Sequence, residues 1–391
     1  MYTPFPPPET RRATDSLKWK AYAGDVIPLW VADMDFAAPE PVLDALRTRL
    51  DHGILGYTDL AGAPETGAAD LREVIVARLA RRYGWEVAPE ALVFVPGVVT
   101  GLNLACHALG GPGDEAVVQP PVYTPFLHAP GTAGMARRDA PLARDGDGTW
   151  RMDLDAFEAA LGPRTRAWLL CNPHNPVGRA WRRDELEAAA ERCLRAGVPM
   201  VSDEIHCDLL FEGRTHVPLA SLGPEVARRT ITLMAPSKTF NIAGLTCSFA
   251  VIPDPDLRRA YLQARRGLVP WVNLLGVVAA EAAYRHGQPW LDTVMAELEA
   301  NRAALAAAMG RDLPGLAMAA PEATYLAWID CRGAGLGEDP AGFFQARAKV
   351  ALIGGETFGD EGRGHVRLNF GCRGELLQEA LARMGAALRA R

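Results

Sequence analysis

The chain has 391 residues, of which 49% are hydrophobic and 23% charged, a composition typical of globular proteins and long enough for two domains. Its 41 Lys and Arg residues are outnumbered by 47 Asp and Glu residues, which gives a formal net charge of -6 and argues against nucleic acid as the main partner. No apolar stretch is long enough to span a bilayer, and the first dozen residues resemble no secretory signal, so we expect a cytoplasmic protein without a membrane partner.

Short apolar runs alternate with amphipathic stretches through the middle of the chain, which predicts an α/β fold with a mostly parallel sheet between helices. Strands are expected at residues 92–95 and 116–119, and three more in the segments RAWLLCN, PMVSD and ITLM. The spacing predicts a helix over VVTGLNLACHAL and another that starts near Asp184 and ends before Gly197.

After about residue 275 the pattern changes to an Ala-rich helix and then to the strand-like segments TYLAWID and HVRLNF. These elements predict a second, smaller α+β domain. We expect a large domain at residues 46–278 and a small domain formed by residues 1–45 and 279–391. Seven cysteines are scattered singly with no Cys-x-x-Cys pair, which indicates neither a disulfide framework nor a zinc site.

Polar residues follow several of the predicted strands directly. Asp203 and Lys238 each stand just after an apolar run, and Asn175 follows a third. Because ligands of open parallel sheets bind beyond the carboxyl ends of the strands, these side chains are expected to share one site. A buried ion pair, or two solvated loop charges, is the simpler explanation for an arbitrary Asp and Lys.

Eight ordered segments resemble a known family, the pyridoxal-phosphate (PLP) enzymes of aminotransferase class I/II, which share the aspartate aminotransferase-like fold called fold type I. The segments are PLWVADMDF (28–36), GILGYTD (53–59), PGVVTGL (96–102), QPPVYTPF (119–126), LCNPHNPVGRAW (170–181), VSDEIHCDL (201–209), APSKTFNIAGL (235–245) and GHVRLNFGC (364–372). The strings ADMDF, QPPVY, NPHNP and SDEIH are most similar to the cystathionine β-lyase branch of the MalY and PatB type.

The resemblance implies PLP as cofactor and assigns it residues. Lys238 would bind PLP covalently through its amine and then serve as the base at the substrate Cα. Asp203 would pair with the ring nitrogen of PLP and keep it protonated. Asn175 would donate a hydrogen bond to the ring oxygen of PLP and would also lie near the substrate carboxylate as a substrate-binding residue. His206 would lie beside the same ring oxygen.

The remaining positions of the cofactor site follow from the same resemblance. Tyr123 would stack on the ring and take part in catalysis, and the backbone N–H groups of Val98 and Val99, with the hydroxyl of Ser237, would bind the phosphate. Tyr57 would reach the phosphate of a neighbouring subunit, which implies a homodimer with shared active sites. No metal site is expected, because the DEIHCD cluster is assigned to the cofactor ring.

Arg367 matches the arginine that binds the substrate α-carboxylate through two parallel hydrogen bonds, and its partner is therefore a small amino acid. The implied activity is that of a PLP-dependent carbon–sulfur β-lyase, which converts L-cystathionine or a related cysteine S-conjugate to a thiol, pyruvate and ammonia. Loops near Trp30, Phe36 and Thr124 are expected to select the substrate side chain.

Two other functions stay open at this point. The same residues would serve a PLP-dependent aminotransferase of an α-amino acid. A regulatory protein that uses the fold to sense a ligand or to bind a transcription factor is the third possibility. The sequence also departs from the family pattern, because Thr124 stands where relatives often carry a second Tyr and Cys372 runs directly into Arg373.

Overall fold

A computed structural model describes residues 2–22, 24–58, 68–146 and 148–391, with only the backbone described at 68–70. Its strands are β1 (Ile27–Pro28), β2 (Leu92–Val95), β3 (Glu115–Val118), β4 (Ala136–Asp139), β5 (Ala143–Arg144), β6 (Trp150–Arg151), β7 (Thr165–Cys171), β8 (Met200–Asp203), β9 (Thr230–Met234), β10 (Ser248–Val251), β11 (Leu326–Asp330), β12 (Val350–Ala351), β13 (Ile353–Gly354) and β14 (His365–Asn369).

The helices are α1 (Pro8–Arg12), α2 (Leu17–Lys20), α3 (Glu40–Asp51), α4 (Ala68–Tyr83), α5 (Val98–Leu109), α6 (Thr124–Thr132), α7 (Leu154–Ala160), α8 (Arg183–Ala196), α9 (Pro224–Arg228), α10 (Pro236–Thr239), α11 (Pro255–Arg265), α12 (Leu274–His286), α13 (Gln288–Arg311), α14 (Pro340–Phe343) and α15 (Gly374–Arg389). None of the described helices combines the length and the apolar character needed to cross a membrane.

The largest sheet has seven strands in the order β2-β10-β9-β8-β7-β3-β4. All neighbours pair in parallel except β10, which runs antiparallel to both β2 and β9. Every residue of β2, β8 and β9 is buried, since helices cover both faces of such a sheet and leave no polar side to the strands. The predicted α/β class with a mostly parallel sheet is confirmed.

The predicted strands and helices of this sheet are found within one or two residues of their expected bounds. Gly197 caps helix α8 with φ +69°, and its N–H donates to the carbonyl of Cys193, the ending that the sequence predicted. Strand β10 was not predicted. Its run CSFAV is as apolar as its neighbours, and nothing in a strand's composition encodes its direction.

A second sheet of three antiparallel strands has the order β11-β14-β13. Its central strand β14 pairs Arg367 with Trp328 of β11 and with Ile353 of β13. The N-terminal segment joins this part of the chain, because β1 pairs in parallel with β12 through Ile27 and Val350. Helices α13 and α15 pack against each other beside it.

Candidate active site

A cavity of about 250 Å³ lies at the carboxyl ends of β2, β7, β8 and β9, where a doubly wound sheet binds its ligands. It contains eight of the ten predicted site residues: Val98, Val99, Tyr123, Asn175, Asp203, His206, Ser237 and Lys238. Ala32, Pro96, Gly97, Thr100, Cys171, Ile205 and Ala243 complete its lining. The polar residues that follow these strands therefore line one cavity.

Lys238 lies in the short helix α10, immediately after β9. Its Nζ donates a hydrogen bond to the carbonyl oxygen of Ala32 at 2.5 Å. The walls of the cavity exclude most of the water around the amine, and this burial lowers the pKa of Lys238 to about 8. A lysine with such a pKa is partly neutral near pH 8 and can act as a nucleophile or a base.

Asp203 is the last residue of β8, and it is 5% exposed. One carboxyl oxygen accepts a hydrogen bond from the N–H of Ile205 at 3.1 Å. Burial raises the pKa of Asp203 to about 7, because no described cation forms an ion pair with the carboxyl. Asp203 and Lys238 therefore do not form the buried ion pair that was the simpler explanation for these two residues. The site instead holds a buried carboxyl group without a cationic partner among the described residues.

Arg367 projects from the central strand β14 and is 2% exposed. Its Nη1 donates to Asn175 Oδ1 at 3.1 Å, and its Nη2 donates to the carbonyl of Trp30 at 3.0 Å. No described carboxylate pairs with it, its Nε has no hydrogen-bond partner, and burial lowers the pKa of Arg367 to about 10. Since a buried cation without an anion is unfavourable, this guanidinium is suited to receive an anionic ligand.

Helix α5 begins at the edge of the cavity, directly after β2. Its first N–H groups have no acceptor within the helix and carry the positive end of the helix dipole. Gly97 precedes the helix with φ +115°, a conformation that side chains disfavour, although only Thr100 Oγ1 would come within 4 Å of an added Cβ. Val98 and Val99 line the cavity with Ser237, and such a helix start is suited to an anion.

Tyr123 and His206 form two further walls. The backbone N–H of Tyr123 donates to the backbone carbonyl of Asn175 at 2.9 Å, so the main chain is joined at these two residues. Burial, with the nearby charges of Lys238 and Arg367, lowers the pKa of His206 to about 3, and the ring is neutral at physiological pH. Its buried Nδ1 has no partner among the described residues.

Several predicted positions lie elsewhere. Tyr57 is fully exposed in this chain, outside the cavity, and Asp59 of the same motif is outside the described residues. Phe36 is likewise outside the cavity lining, because it is 1% exposed and packs edge-on against Phe5. Its side chain belongs to the hydrophobic core, and the selection of the substrate side chain by the loops near this residue stays a prediction. Trp30 and Thr124 also lie outside the cavity lining, although the carbonyl of Trp30 reaches Arg367.

The acidic residues next to Asp203 have other partners. Glu204 accepts hydrogen bonds from the hydroxyl of Ser202 and the N–H of Leu219, and it forms a buried 2.7 Å pair with His216. Asp208 pairs with Arg78 on helix α4. In the part of the chain that the structure describes, no three His, Cys, Asp or Glu side chains gather as metal ligands.

Two residues near Lys238 have no role in the sequence analysis. Ala32 supplies the carbonyl that accepts from Lys238, and Tyr325 donates its hydroxyl to the same oxygen at 3.0 Å. Ala32 belongs to the segment ADMDF, which matched the family pattern. The sequence could not indicate its role, because every residue has a backbone carbonyl. Tyr325 lies in the predicted strand segment TYLAWID, where a buried aromatic residue is ordinarily part of the core.

The comparisons with known proteins cover nearly the whole chain. The model of the family described as aminotransferase class I and II matches residues 24–384. Cystathionine beta-lyase PatB of Bacillus subtilis is 43% identical over 389 residues, which cover 97% of this chain and 98% of that protein.

Two solved structures superpose closely on the fold. The crystal structure of OvoB superposes with a TM-score of 0.91 at 46% identity, and the match covers 97% of this chain and 98% of the OvoB chain. The PLP-bound C-S lyase from Staphylococcus hominis has a TM-score of 0.90 at 34% identity and covers 97% of both chains. With the cavity, its lysine and its position on the sheet, these matches show that the chain belongs to the aminotransferase class I and II family.

Proposed function

We propose that this protein is a PLP-dependent carbon–sulfur β-lyase that acts on L-cystathionine or related L-cysteine S-conjugates. The observation that carries the proposal is the chemistry around one cavity: a buried amine of lowered pKa, a buried acid without a cation and a buried guanidinium without an anion. PLP and an amino acid together supply the missing partners. Two of the three relatives described above are named as lyases, which favours elimination over transamination.

The residues present fit PLP. Lys238 would hold it covalently, and the carboxyl of Asp203 would receive the protonated ring nitrogen, the cation that this carboxyl lacks. The first turn of helix α5, at Val98 and Val99, would bind the phosphate together with Ser237. When bound, PLP withdraws electrons from the substrate Cα and so makes its proton acidic.

The rest of the cofactor site consists of three side chains. Tyr123 would pack against the ring of PLP, while Asn175 and the neutral His206 would contact its oxygen. A neutral imidazole is suited to this position, because it adds no charge beside Lys238 and Arg367.

Arg367 would bind the substrate α-carboxylate. Its two terminal nitrogens already donate to neutral acceptors, Asn175 Oδ1 and the carbonyl of Trp30. A carboxylate would form stronger, charge-assisted bonds and remove the penalty of the buried, unpaired cation. This contact fixes the amino acid with its Cα toward the cavity that Lys238 lines.

Lys238 would then move the proton. Its pKa of about 8 leaves a neutral fraction of the amine near physiological pH, and a neutral amine can accept the Cα proton. Loss of that proton lets the Cβ–S bond break, and the sulfur leaves as a thiolate that becomes a thiol on protonation. The 2-aminoacrylate that remains is hydrolysed by water to pyruvate and ammonia.

We also propose a homodimer with shared active sites in which Tyr57 contacts the phosphate in the neighbouring subunit. In support, Leu50, Ile54, Leu55 and Tyr57 are exposed on one segment, and exposed apolar residues close together are typical of interfaces. A cytoplasmic location is proposed as well. It is supported by the seven cysteines, which are all buried and free as in proteins of reducing compartments.

A large domain at residues 46–278 and a small domain of residues 1–45 and 279–391 complete the proposal. In support, the strands of the seven-stranded sheet all lie between residues 92 and 251. The pairing of β1 with β12 ties the N-terminal segment to the C-terminal part of the chain.

The direct test is to incubate the PLP-loaded protein with L-cystathionine and no keto acid. A lyase releases pyruvate and homocysteine in equal amounts. A strict requirement for a keto-acid acceptor would reject the proposal in favour of an aminotransferase.

A further inference from the structure

The carbonyl oxygen of Ala32 accepts two hydrogen bonds from side chains of different parts of the chain. Lys238 Nζ donates at 2.5 Å, and the hydroxyl of Tyr325 donates at 3.0 Å. A carbonyl oxygen has two lone pairs, so the two donors can be held at once. Whatever fixes this oxygen also fixes the direction in which the lysine amine points.

The segment that carries this carbonyl is itself held in place on both sides. Asn369 Nδ2 donates to the carbonyls of Val31 and Asp33, at 2.6 and 2.9 Å. Lys18, which is completely buried, also donates to the carbonyl of Asp33, at 3.1 Å. The backbone on each side of Ala32 is therefore fixed, and Tyr325 fixes the carbonyl itself.

The backbone next to Tyr325 has a conformation that its residue type disfavours, and the surrounding structure holds it there. The preceding residue, Thr324, is completely buried and has φ +70°, a conformation that is an outlier for a β-branched side chain. Its N–H donates to the carbonyl of Leu209 at 2.7 Å, and the carbonyl of Tyr325 accepts from Phe370 at 2.9 Å. Strain of this kind persists where surrounding structure fixes a functional conformation.

We propose that Tyr325 is a positioning residue for the Lys238 amine, acting through the carbonyl of Ala32 that both side chains share. The inference rests on the proposed function, in which the Lys238 amine, once free, would serve as the base at the substrate Cα. The freed amine then donates one N–H to the Ala32 oxygen, which Tyr325 has kept in place. Its lone pair is left for the Cα proton.

Tyr325 contacts two residues of the cavity wall, Ala32 and His206, but does not itself line the cavity, and its effect is expected only when the freed amine is in use. The change Tyr325→Phe removes the hydroxyl and retains the ring, which is 1% exposed and packs edge-on near His206. Tyr261→Phe is the matched control, because Tyr261 is equally buried and donates to the carbonyl of Gly101 at 3.1 Å, and neither residue lines the cavity.

The experiment measures exchange of the Cα proton of L-alanine with deuterated solvent by NMR, in PLP-loaded protein. L-Alanine has no leaving group at Cβ, so proton removal is followed even if no cysteine conjugate is cleaved, and failure of the lyase proposal would be seen separately. We expect Y325F to keep its PLP absorbance and its affinity for L-alanine, and to lose exchange rate by about tenfold to a hundredfold. Y261F should exchange like the wild type.

A second pair of variants separates positioning from a general structural effect. In K238A, methylamine can replace the lost amine as a base, and adding Y325F to this background should change the rescued exchange rate less than about twofold. An equal loss in both backgrounds, or no loss in the wild-type background, would overturn the inference. Independently of any variant, a crystal structure of the wild-type holoenzyme with L-alanine must retain the bond from Tyr325 to Ala32, and its absence would also overturn it.

Discussion

Arg367 and Asn175 are joined by a hydrogen bond of 3.1 Å between Nη1 and Oδ1, which links the three-stranded sheet to the end of β7 in the seven-stranded sheet. Both side chains are buried, and the bond gives one guanidinium nitrogen an acceptor without neutralising the charge of the arginine. The arginine is thereby oriented toward the cavity while its charge stays available to a ligand.

This relationship predicts the effect of Asn175→Asp. The new carboxylate would lie against the guanidinium and compete with the substrate carboxylate, so we expect KM for the amino acid to rise by about tenfold or more. The variant should unfold at a temperature no lower than the wild type, because it gains an ion pair. Steady-state kinetics with thermal unfolding checks both points, and an unchanged KM would show that Arg367 is not the carboxylate receptor.

Replacement of Lys238 by Ala is expected to abolish covalent PLP attachment and lyase activity. Borohydride reduction of the wild type should fix the cofactor to one peptide only. The chain contains just four lysines, Lys18, Lys20, Lys238 and Lys349, so mass spectrometry can assign the site without ambiguity. K20A, at an exposed position, serves as the control, and label at any other lysine would contradict the assignment.

The buried carboxyl of Asp203 makes the stability of the cofactor-free protein depend on pH. Its folded pKa is raised from 3.8 to about 7, so its protonated form is favoured in the folded state. The destabilisation is absent below the unfolded pKa, grows as pH rises and is complete above pH 7. Asp203→Asn should therefore stabilise the apoprotein more at pH 8 than at pH 5, by about 2–3 kcal/mol.

Urea unfolding at the two pH values measures this difference. Asp256→Asn is the control, since this side chain is 81% exposed and should show no such trend. Equal effects of Asp203→Asn at pH 5 and pH 8 would mean that the carboxyl is not neutral in the folded apoprotein.

Gly97 is expected to control phosphate binding through its backbone. Gly97→Ala forces a side chain into φ +115°, and relaxation of that strain would displace the first turn of α5, weakening PLP about tenfold or more. Gly131→Ala, at a helical position with nothing within 4 Å of an added Cβ, should leave the affinity unchanged. Fluorescence titration of apoprotein with PLP provides both dissociation constants.

The proposed sharing of sites between subunits predicts complementation. Chains carrying Lys238→Ala and chains carrying Tyr57→Ala should each be poorly active, but after unfolding and mixed refolding about a quarter of the sites would contain both native residues. Activity should recover toward that fraction. If mixing gives only the average of the two parents, Tyr57 acts within its own subunit or not at all.

The sequence predicted most of the residues proposed to bind the cofactor, because of where they stand relative to the strands. Asp203 and Lys238 follow apolar strands, and parallel strands deliver their carboxyl ends to one edge. Arg367 could be found only through the family resemblance, because a lone arginine in HVRLNF could equally be a solvated strand residue.

Other features depend on tertiary structure that no local pattern encodes. Tyr325 gains its contact with Ala32 from the packing of segments almost three hundred residues apart. The direction of β10 is likewise set by its neighbours, β2 and β9.

The order of strands in the small sheet also bears on how the protein matures. Strand β14 lies between β11 and β13, yet it is the last of the three in the chain. During synthesis the sheet cannot assemble until β14 has left the ribosome, whereas every strand of the large sheet is already available by then. The nascent chain therefore acquires the site of Lys238 and Asp203 well before it acquires Arg367, and recognition of the amino acid is the last property to appear.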